Sequence, residues 1–270
     1  MSIATEISRL QTAKADIKAA IEAKGVTVPN NVTLDTYDTY VSQISGGGGT
    51  NKFDSLVDGS ITSVTETDLA NVTTTKNYAF AYCTSLTQLN IPANISSIGK
   101  RAFAGCTALT TVTINSNNTG LTSLPEYAFS GCTTLTSFTF GPAIASLGEH
   151  CFYNTGLTSI TLPSTIATLG IHTFSTTAAT IAALVTLDLS QTNITTVPQS
   201  MVAYQSNLTT VKLPATVTKI NSSAFIYTTS LTAIDFAGTK AQWNSINIAS
   251  NWKNMSSLTT IHCSDGDITL

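Results

Sequence analysis

A chain of 270 residues that is 42% hydrophobic can bury a sizeable core. Only 10% of its residues are charged, against about a quarter in ordinary globular domains, and Ser, Thr and Asn fill the deficit. The net charge of −3 excludes a basic footprint for nucleic acid, and no apolar run approaches the roughly 20 residues needed to cross a bilayer.

The chain opens with MSIATEISRLQTAKADIKAAIEAKG. Glu6, Arg9, Lys14, Asp16 and Lys18 interrupt any apolar stretch, so it is not read as a secretory signal and the chain is expected to fold where it is made. Ile3, Ile7, Leu10, Ala13, Ile17, Ala20 and Ile21 recur at helical spacing, which predicts a helix over 3–24, with Ser2 as its cap and Gly25 as its stop. Leu34, Tyr37, Val41 and Ile44 predict a second helix over 34–44, with Thr33 as N-cap. A helical pair this small buries its stripe poorly alone. Ile3, Ile7, Leu10, Ile17, Ile21, Leu34, Tyr37 and Val41 therefore form a candidate docking face for another copy, another protein or the rest of the chain. The phrase AKADIKAAIEAKG, followed by V-P and a Y-x-x-Y-V-x-x-I run, resembles the front end of bacteriophage tail and fibre virion proteins. That resemblance implies an attachment module over 1–45 that docks on other virion proteins. A homo-oligomer, such as a trimer, is a further expectation. SGGGGT then marks a flexible linker over 46–52. Residues 53–77, with the pairs Ile61/Val64 and Leu69/Val72, read as the N-terminal cap of the repetitive region that begins near Tyr78.

In that region one phrase recurs: YAFAYCTSLTQLNI, RAFAGCTALTTVTI, YAFSGCTTLTSFTF. Its Phe stands at 80, 103, 129, 152, 174 and 225, with Val202 and Trp252 in the same slot, so successive intervals run from 22 to 28 residues. A period in the 20s predicts a solenoid. Each ruler residue is followed by a Leu and then by two alternating apolar positions, such as Leu86 with Leu89/Ile91 and Leu109 with Val112/Ile114. That alternation predicts a short strand with one buried face. A turn, often with Pro, and a second apolar pair complete the unit, as in Ile95/Ile98 and Ile166/Leu169. One coil cannot bury these residues; stacked coils can, because each meets its equivalents above and below. The coil from His172 to Gln199 carries an insert, TTAATIAAL, and Val202 replaces Phe, so these coils are expected to be least regular. The repeated A-F-x-x-C-x-x-L phrase and FAGTKAQWNSI (236–246) resemble the BspA-type leucine-rich repeat over about 60–263. The resemblance implies a curved parallel sheet and a role in adhesion or recognition, with no catalytic residues. The fold class expected is therefore a mainly β solenoid of about eight coils over 53–270, preceded by a small α-helical module.

The chain carries neither HExxH nor GxSxG, no P-loop, and five cysteines without CxxC pairs. Neither an enzyme nor a resident metal or cofactor is expected. Cys83, Cys106 and Cys132 occupy one repeat slot and read as a buried column. His150 and His172 share another slot near Glu149; the simpler reading is a surface column with Tyr78, Arg101 and Tyr127. N-x-S/T triplets at Asn71, Asn193 and Asn207 follow from composition.

The outward strand positions are a Ser/Thr lawn in the middle coils. Charge gathers at the C-terminal end, where Asp188, Lys212, Asp235 and His262 form the candidate ligand face, with Tyr204, Tyr227 and Trp243 as aromatic platforms. The expected ligand is a cell-surface glycan or protein. The chain has two functional readings: a non-enzymatic virion fibre or decoration protein, or a bacterial surface adhesin of the repeat family.

Overall fold

In a computed structural model of the chain, the residues described are 63, 64, 69, 71–178 and 182–270. The expected helical module, its docking-face residues Ile3, Ile7, Leu10, Ile17, Ile21, Leu34, Tyr37 and Val41, and the linker lie outside them.

The eight ruler positions bound about seven turns of a β-solenoid. Each turn contributes one strand to a principal ladder. Its first part contains β1 (Ser63–Val64), β2 (Gln88–Ile91), β3 (Thr111–Ile114) and β5 (Ser137–Thr139). Its second part contains β7 (Ser159–Thr161), β9 (Thr186–Asp188), β11 (Thr210–Leu213), β13 (Ala233–Phe236) and β15 (Thr260–Cys263). All these neighbours pair in parallel, and in β2 the alternation of exposed Gln88 and Asn90 with buried Leu89 and Ile91 follows the apolar spacing of the sequence. β16 (Gly266–Thr269) turns back antiparallel on β15 and occupies its outer edge. A second ladder of two-residue strands comes from the second apolar pair. It has β4 (Ser123–Leu124), β6 (Ser146–Leu147) and β8 (Thr168–Leu169), then β10 (Thr196–Val197), β12 (Lys219–Ile220) and β14 (Asn247–Ile248).

Each ladder is interrupted once. The principal ladder breaks between β5 and β7. There the repeat is a residue short: Leu157 follows Phe152 by five positions, where Leu135 follows Phe129 by six. The rings of Phe138 and Phe140 pack edge-on against Phe152, 4.9 and 6.2 Å between centroids, and fill the step. The second ladder breaks between β8 and β10, across the coil that carries the TTAATIAAL insert.

A third row of inter-coil bonds is continuous, and it lies in the ruler segment itself. The backbone N–H groups of Tyr78, Phe80 and Tyr82 donate to the carbonyls of Lys100, Ala102 and Ala104 in the next coil. Arg101, Phe103 and Gly105 do the same to Glu126, Ala128 and Ser130. The pattern repeats at every step until Ser223, Phe225 and Tyr227 donate to Asn251, Trp252 and Asn254. Left-handed backbone on either side of the ruler residue points alternate N–H groups along the stack, except after Phe174, where Thr176 donates to Ala203 O without it. Two positions before it, Tyr78, Arg101, Tyr127, His150, His172, Ser200 and Ser223 all have φ between 53° and 61°. Two positions after it stand Tyr82, Gly105, Gly131, Asn154, Tyr204 and Tyr227, also left-handed. Such conformations cost a non-glycine residue roughly 1–2 kcal/mol, against about 0.5–1.5 kcal/mol net for each hydrogen bond gained; the burial that stacking permits supplies the rest.

That burial is ordered in columns. Phe80, Phe103, Phe129, Phe152 and Phe174 stack nearly parallel, with centroid separations from 4.9 to 5.8 Å. Val202 ends the column, and Phe225 meets Trp252 edge-on at 5.7 Å. Cys106 and Cys132 are fully buried in the expected slot, and each thiol donates to the carbonyl of a ruler Phe one coil earlier, Phe80 and Phe103. Gln205 fills that slot further on, and its amide reaches Phe174 O at 2.8 Å. All five cysteines are free.

Ser, Thr and Asn do more than coat the surface. Thr110, Thr165, Thr216 and Thr259 donate their hydroxyls to carbonyls of the preceding coil. Asn118 is wholly buried: its Nδ2 donates to Pro92 O and Ile95 O at 2.7 and 2.9 Å, and its Oδ1 accepts from the N–H of Gly120 and Leu121. Asn193 and Asn207, in the N-x-S/T triplets, donate to Ser164 O and Ala182 O. Their amides belong to the inter-coil scaffold, a use that composition alone does not predict.

Candidate functional site

The parallel register brings the four candidates Asp188, Lys212, Asp235 and His262 into a single row. Thr161 is opposite Asp188, Asp188 opposite Lys212, Lys212 opposite Asp235, and Asp235 opposite His262. His262 then faces Asp267 of β16. At about 4.8 Å per strand, the row extends roughly 15 Å from Asp188 to His262. Charge alternates along it. Lys212 Nζ stands 3.7 Å from Asp188 Oδ2, and His262 Nδ1 is 2.8 Å from Asp267 Oδ1. Burial works against the Asp188 carboxylate, but the hydroxyl and amide of Ser190, with the Lys212 charge, outweigh it and hold its pKa below the usual carboxylate value. The hydrogen bond to Asp267 raises the pKa of His262. The neighbouring half of the face, Gln88/Asn90 to Ser137/Thr139, is uncharged.

The aromatic residues expected to join this row do not all do so. Trp243 is 3% exposed and offers no platform. Local chemistry buries it. GTKAQWN forms a one-turn helix, α1 (Lys240–Asn244), whose N-cap Thr239 exchanges hydrogen bonds with Gln242 in a capping box. The turn directs Trp243 inward against Phe236 and Trp252, at 5.3 and 6.2 Å. Lys240 N–H donates to Asp265 Oδ1 and ties the helix to the closing hairpin. Tyr204 and Tyr227 do stack, 4.7 Å apart and 14° from parallel, but they occupy the left-handed slot after the ruler residue. Tyr204 lines a cleft to which none of the four charged residues contributes.

This cleft, about 510 Å³, is a feature the sequence reading missed. His150, Tyr153, His172, Gln199, Ser200 and Tyr204 contribute to its wall, with Thr177 and Ala178 of the insert. The signal was present in the insert itself, which separates two coils whose slots are otherwise in step. On one side of the cleft runs the expected surface column: Arg101 lies over the Tyr127 ring at 3.8 Å, Tyr127 stacks on His150 at 4.4 Å, and His150 on His172 at 4.6 Å. Burial lowers both imidazole pKa values, and for His150 the charge of His172 adds to the effect. Glu149 Oε1 lies 3.2 Å from His150 Nδ1. Among the described residues no group of three or more His, Cys, Asp or Glu is placed to hold a metal.

Burial raises the Cys83 pKa to about 11 and that of Cys151 beyond it, which leaves both as neutral packing groups at pH 7. Among the described residues, no helix is long and apolar enough to cross a membrane.

No curated protein matches the sequence. Among solved structures, a leucine-rich repeat protein from Bacteroides ovatus is 20% identical, with a TM-score of 0.51, over 72% of this chain and 59% of its own. The T. pallidum leucine-rich repeat protein is 21% identical, with a TM-score of 0.43, over 61% of this chain and 66% of its own. The chain thus spans about three fifths of the length of the Bacteroides protein, and that likeness shows the fold alone. A family model described as the BspA type leucine-rich repeat region matches residues 54–181 and 178–251 in six copies, and it indicates no catalytic family. With most of its length accounted for by that model, and with its ruler residues stacked in register, the chain belongs to the BspA-type leucine-rich repeat family.

Proposed function

We propose that this chain is a non-enzymatic recognition protein displayed at a bacterial cell surface, where its solenoid adheres to a glycan or protein ligand through the outward face of the principal ladder. The observation that carries this reading is the cross-strand row Asp188–Lys212–Asp235–His262. Three charged side chains and an imidazole, in a chain with only 10% charged residues, are gathered on one face of the ladder beside an uncharged lawn. Extended faces of this kind are what repeat architectures offer a partner, and many shallow contacts hold firmly when several copies engage together. A surface of hydroxyls and amides also suits an extracellular setting. The test is binding of fluorescently labelled protein to intact bacterial or host cells. The variant Asp188→Ala/Lys212→Ala/Asp235→Ala is expected to weaken it about tenfold or more, while Thr111→Ala/Thr113→Ala leaves it unchanged. Equal binding by both variants removes the charged row from the function.

A second reading, a virion fibre or decoration, rests on residues 4–44 and their resemblance to phage virion proteins. Its docking face would be Ile3, Ile7, Leu10, Ile17, Ile21, Leu34, Tyr37 and Val41. Deleting residues 1–45 separates the two readings: loss of incorporation into particles favours the virion, and unchanged cell binding by the truncated chain favours the surface adhesin.

A further inference from the structure

We propose that the 510 Å³ cleft beside the insert is a binding site for a neutral sugar residue, separate from the charged row. Its volume lies within the range of small-molecule sites, about 300–1,000 Å³. Its lining decides the class of ligand. The wall carries imidazoles (His150, His172), phenols (Tyr153, Tyr204), the Gln199 amide and the hydroxyl of Ser200. Among the described residues, no Asp, Glu, Lys or Arg lines it. A phosphate, a carboxylate or an ammonium would therefore enter without a counter-charge, at a desolvation cost that hydrogen bonds to neutral groups do not recover.

A pyranose has the opposite profile. It has uncharged hydroxyls in a ring plane and apolar C–H faces that lie against aromatic rings. Both imidazoles favour the neutral form, so each ring carries one donor and one acceptor nitrogen at pH 7, and the Nδ1 of His150 is buried beside Glu149. His172 Nδ1 is engaged with Ser175 Oγ at 3.2 Å, which leaves Nε2 for a ligand hydroxyl. The rings are held in place before any ligand arrives: His150 is stacked between Tyr127 and His172, Tyr153 meets His150 edge-on at 5.1 Å, and Tyr204 is stacked on Tyr227. Little side-chain freedom is lost on binding. The left-handed backbone at His150, His172, Ser200 and Tyr204 gives the site its form, because it is the row of inter-coil hydrogen bonds that fixes where these side chains leave the coil.

The proposal rests on the recognition reading only for the source of the sugar, a surface glycan. The experiment is saturation-transfer NMR on the full chain with the methyl glycosides of glucose, galactose, mannose and N-acetylglucosamine, and with sialic acid as the anionic control. At least one neutral glycoside is expected to receive saturation and sialic acid to receive none. Gln199→Ala, at an exposed position, and Tyr204→Ala are expected to weaken binding about tenfold, while Lys212→Ala has no effect. Loss of signal in Gln199→Ala alone supports the site should Tyr204→Ala disturb the fold. Absence of transfer from all four neutral glycosides overturns the proposal. So does transfer that neither cleft variant reduces, or sialic acid binding as well as the neutral sugars. Cell binding lost in the charged-row variant but sugar binding retained keeps the two conclusions distinct. Sugar binding absent while cells are still bound through the charged row removes the cleft and leaves the surface reading standing.

Discussion

The coils from Phe80 to Phe174 and those from Val202 to Trp252 solve the same problem with different residues. The first group stacks five parallel Phe rings over a column of thiols and shows the solvent an uncharged face until Asp188. The second replaces the ring by Val202, the thiol by Gln205, and the parallel stack by the edge-on pair Phe225–Trp252, and it carries the capped helix and the row beyond Asp188, from Lys212 to His262. What both keep at every step is the inter-coil bond from the ruler N–H, and each has coils where a side chain donates to the ruler carbonyl, Cys106 and Cys132 in the first and Thr228 in the second. The repeat is therefore defined by a hydrogen-bonding duty at each slot, and residue type follows only where a column must be filled.

The largest effect should come from the centre of the first group. Phe129→Ala removes a ring packed on Phe103, Phe152 and Phe138 and is expected to cost about 3–5 kcal/mol in urea denaturation. Val202→Ala, in the same slot of the second group, should cost clearly less, because fewer buried atoms are removed; equal losses would mean that the two groups do not differ in how their columns carry stability. Next is Asn118→Ala, which leaves the Ile95 carbonyl and the N–H groups of Gly120 and Leu121 without this partner, while Pro92 O keeps the N–H of Ile95, and should lower stability by about 3 kcal/mol. Gly170→Ala places a Cβ 2.4 Å from the backbone N of Glu149, where no side chain can yield. Coil separation there should cost about 1–3 kcal/mol, with reduced hydrogen-exchange protection at His150 as its local sign.

Smaller effects involve protons and thiols. Burial, and for His150 the neighbouring His172, lowers both imidazole pKa values below 6.5, while Glu149 and, for His150, Glu126 pull the other way. The unfolded chain therefore binds more protons than the folded one below that pH. This contribution to stability is present above pH 6.5 and is lost as pH falls through the folded values. Urea midpoints at pH 7.5 and 5.5 should differ less in His150→Gln/His172→Gln than in the wild type. His262 acts in the opposite sense in both proteins and cancels in the comparison. Finally, a thiol reagent should find only half-buried Cys263 readily in the native protein, and the four buried thiols only after unfolding.

The stack was legible because its signal is repeated: one Phe is ambiguous, but six in step, each followed by Leu and an alternating pair, specify coil, strand and inward face together. The charged row was legible for the same reason, since parallel pairing turns equal slots into neighbours. The interruptions were less so. A missing residue before Leu157 is visible in the spacing, yet its consequence depends on Phe138 and Phe140 finding room beside Phe152. Trp243 was misjudged because a capping box operates over three residues, far below the period of the repeat. The cleft escaped because it arises from an insert, and inserts are by definition the places where slot-by-slot comparison has nothing to compare.

The continuous row of N–H groups at the ruler segments has a consequence for how such a chain can change. It fixes three alternate residues of each coil to the next and sets no length for the chain between one ruler segment and the following one. A longer coil can leave the following one in alignment: across the 28 residues from Phe174 to Val202, His172, Phe174 and Thr176 still donate to Gln199, Met201 and Ala203. The molecule therefore has a spine that keeps register even where a coil lengthens. New loops, and with them new specificities, can be grafted near Ala178 without re-engineering the stack.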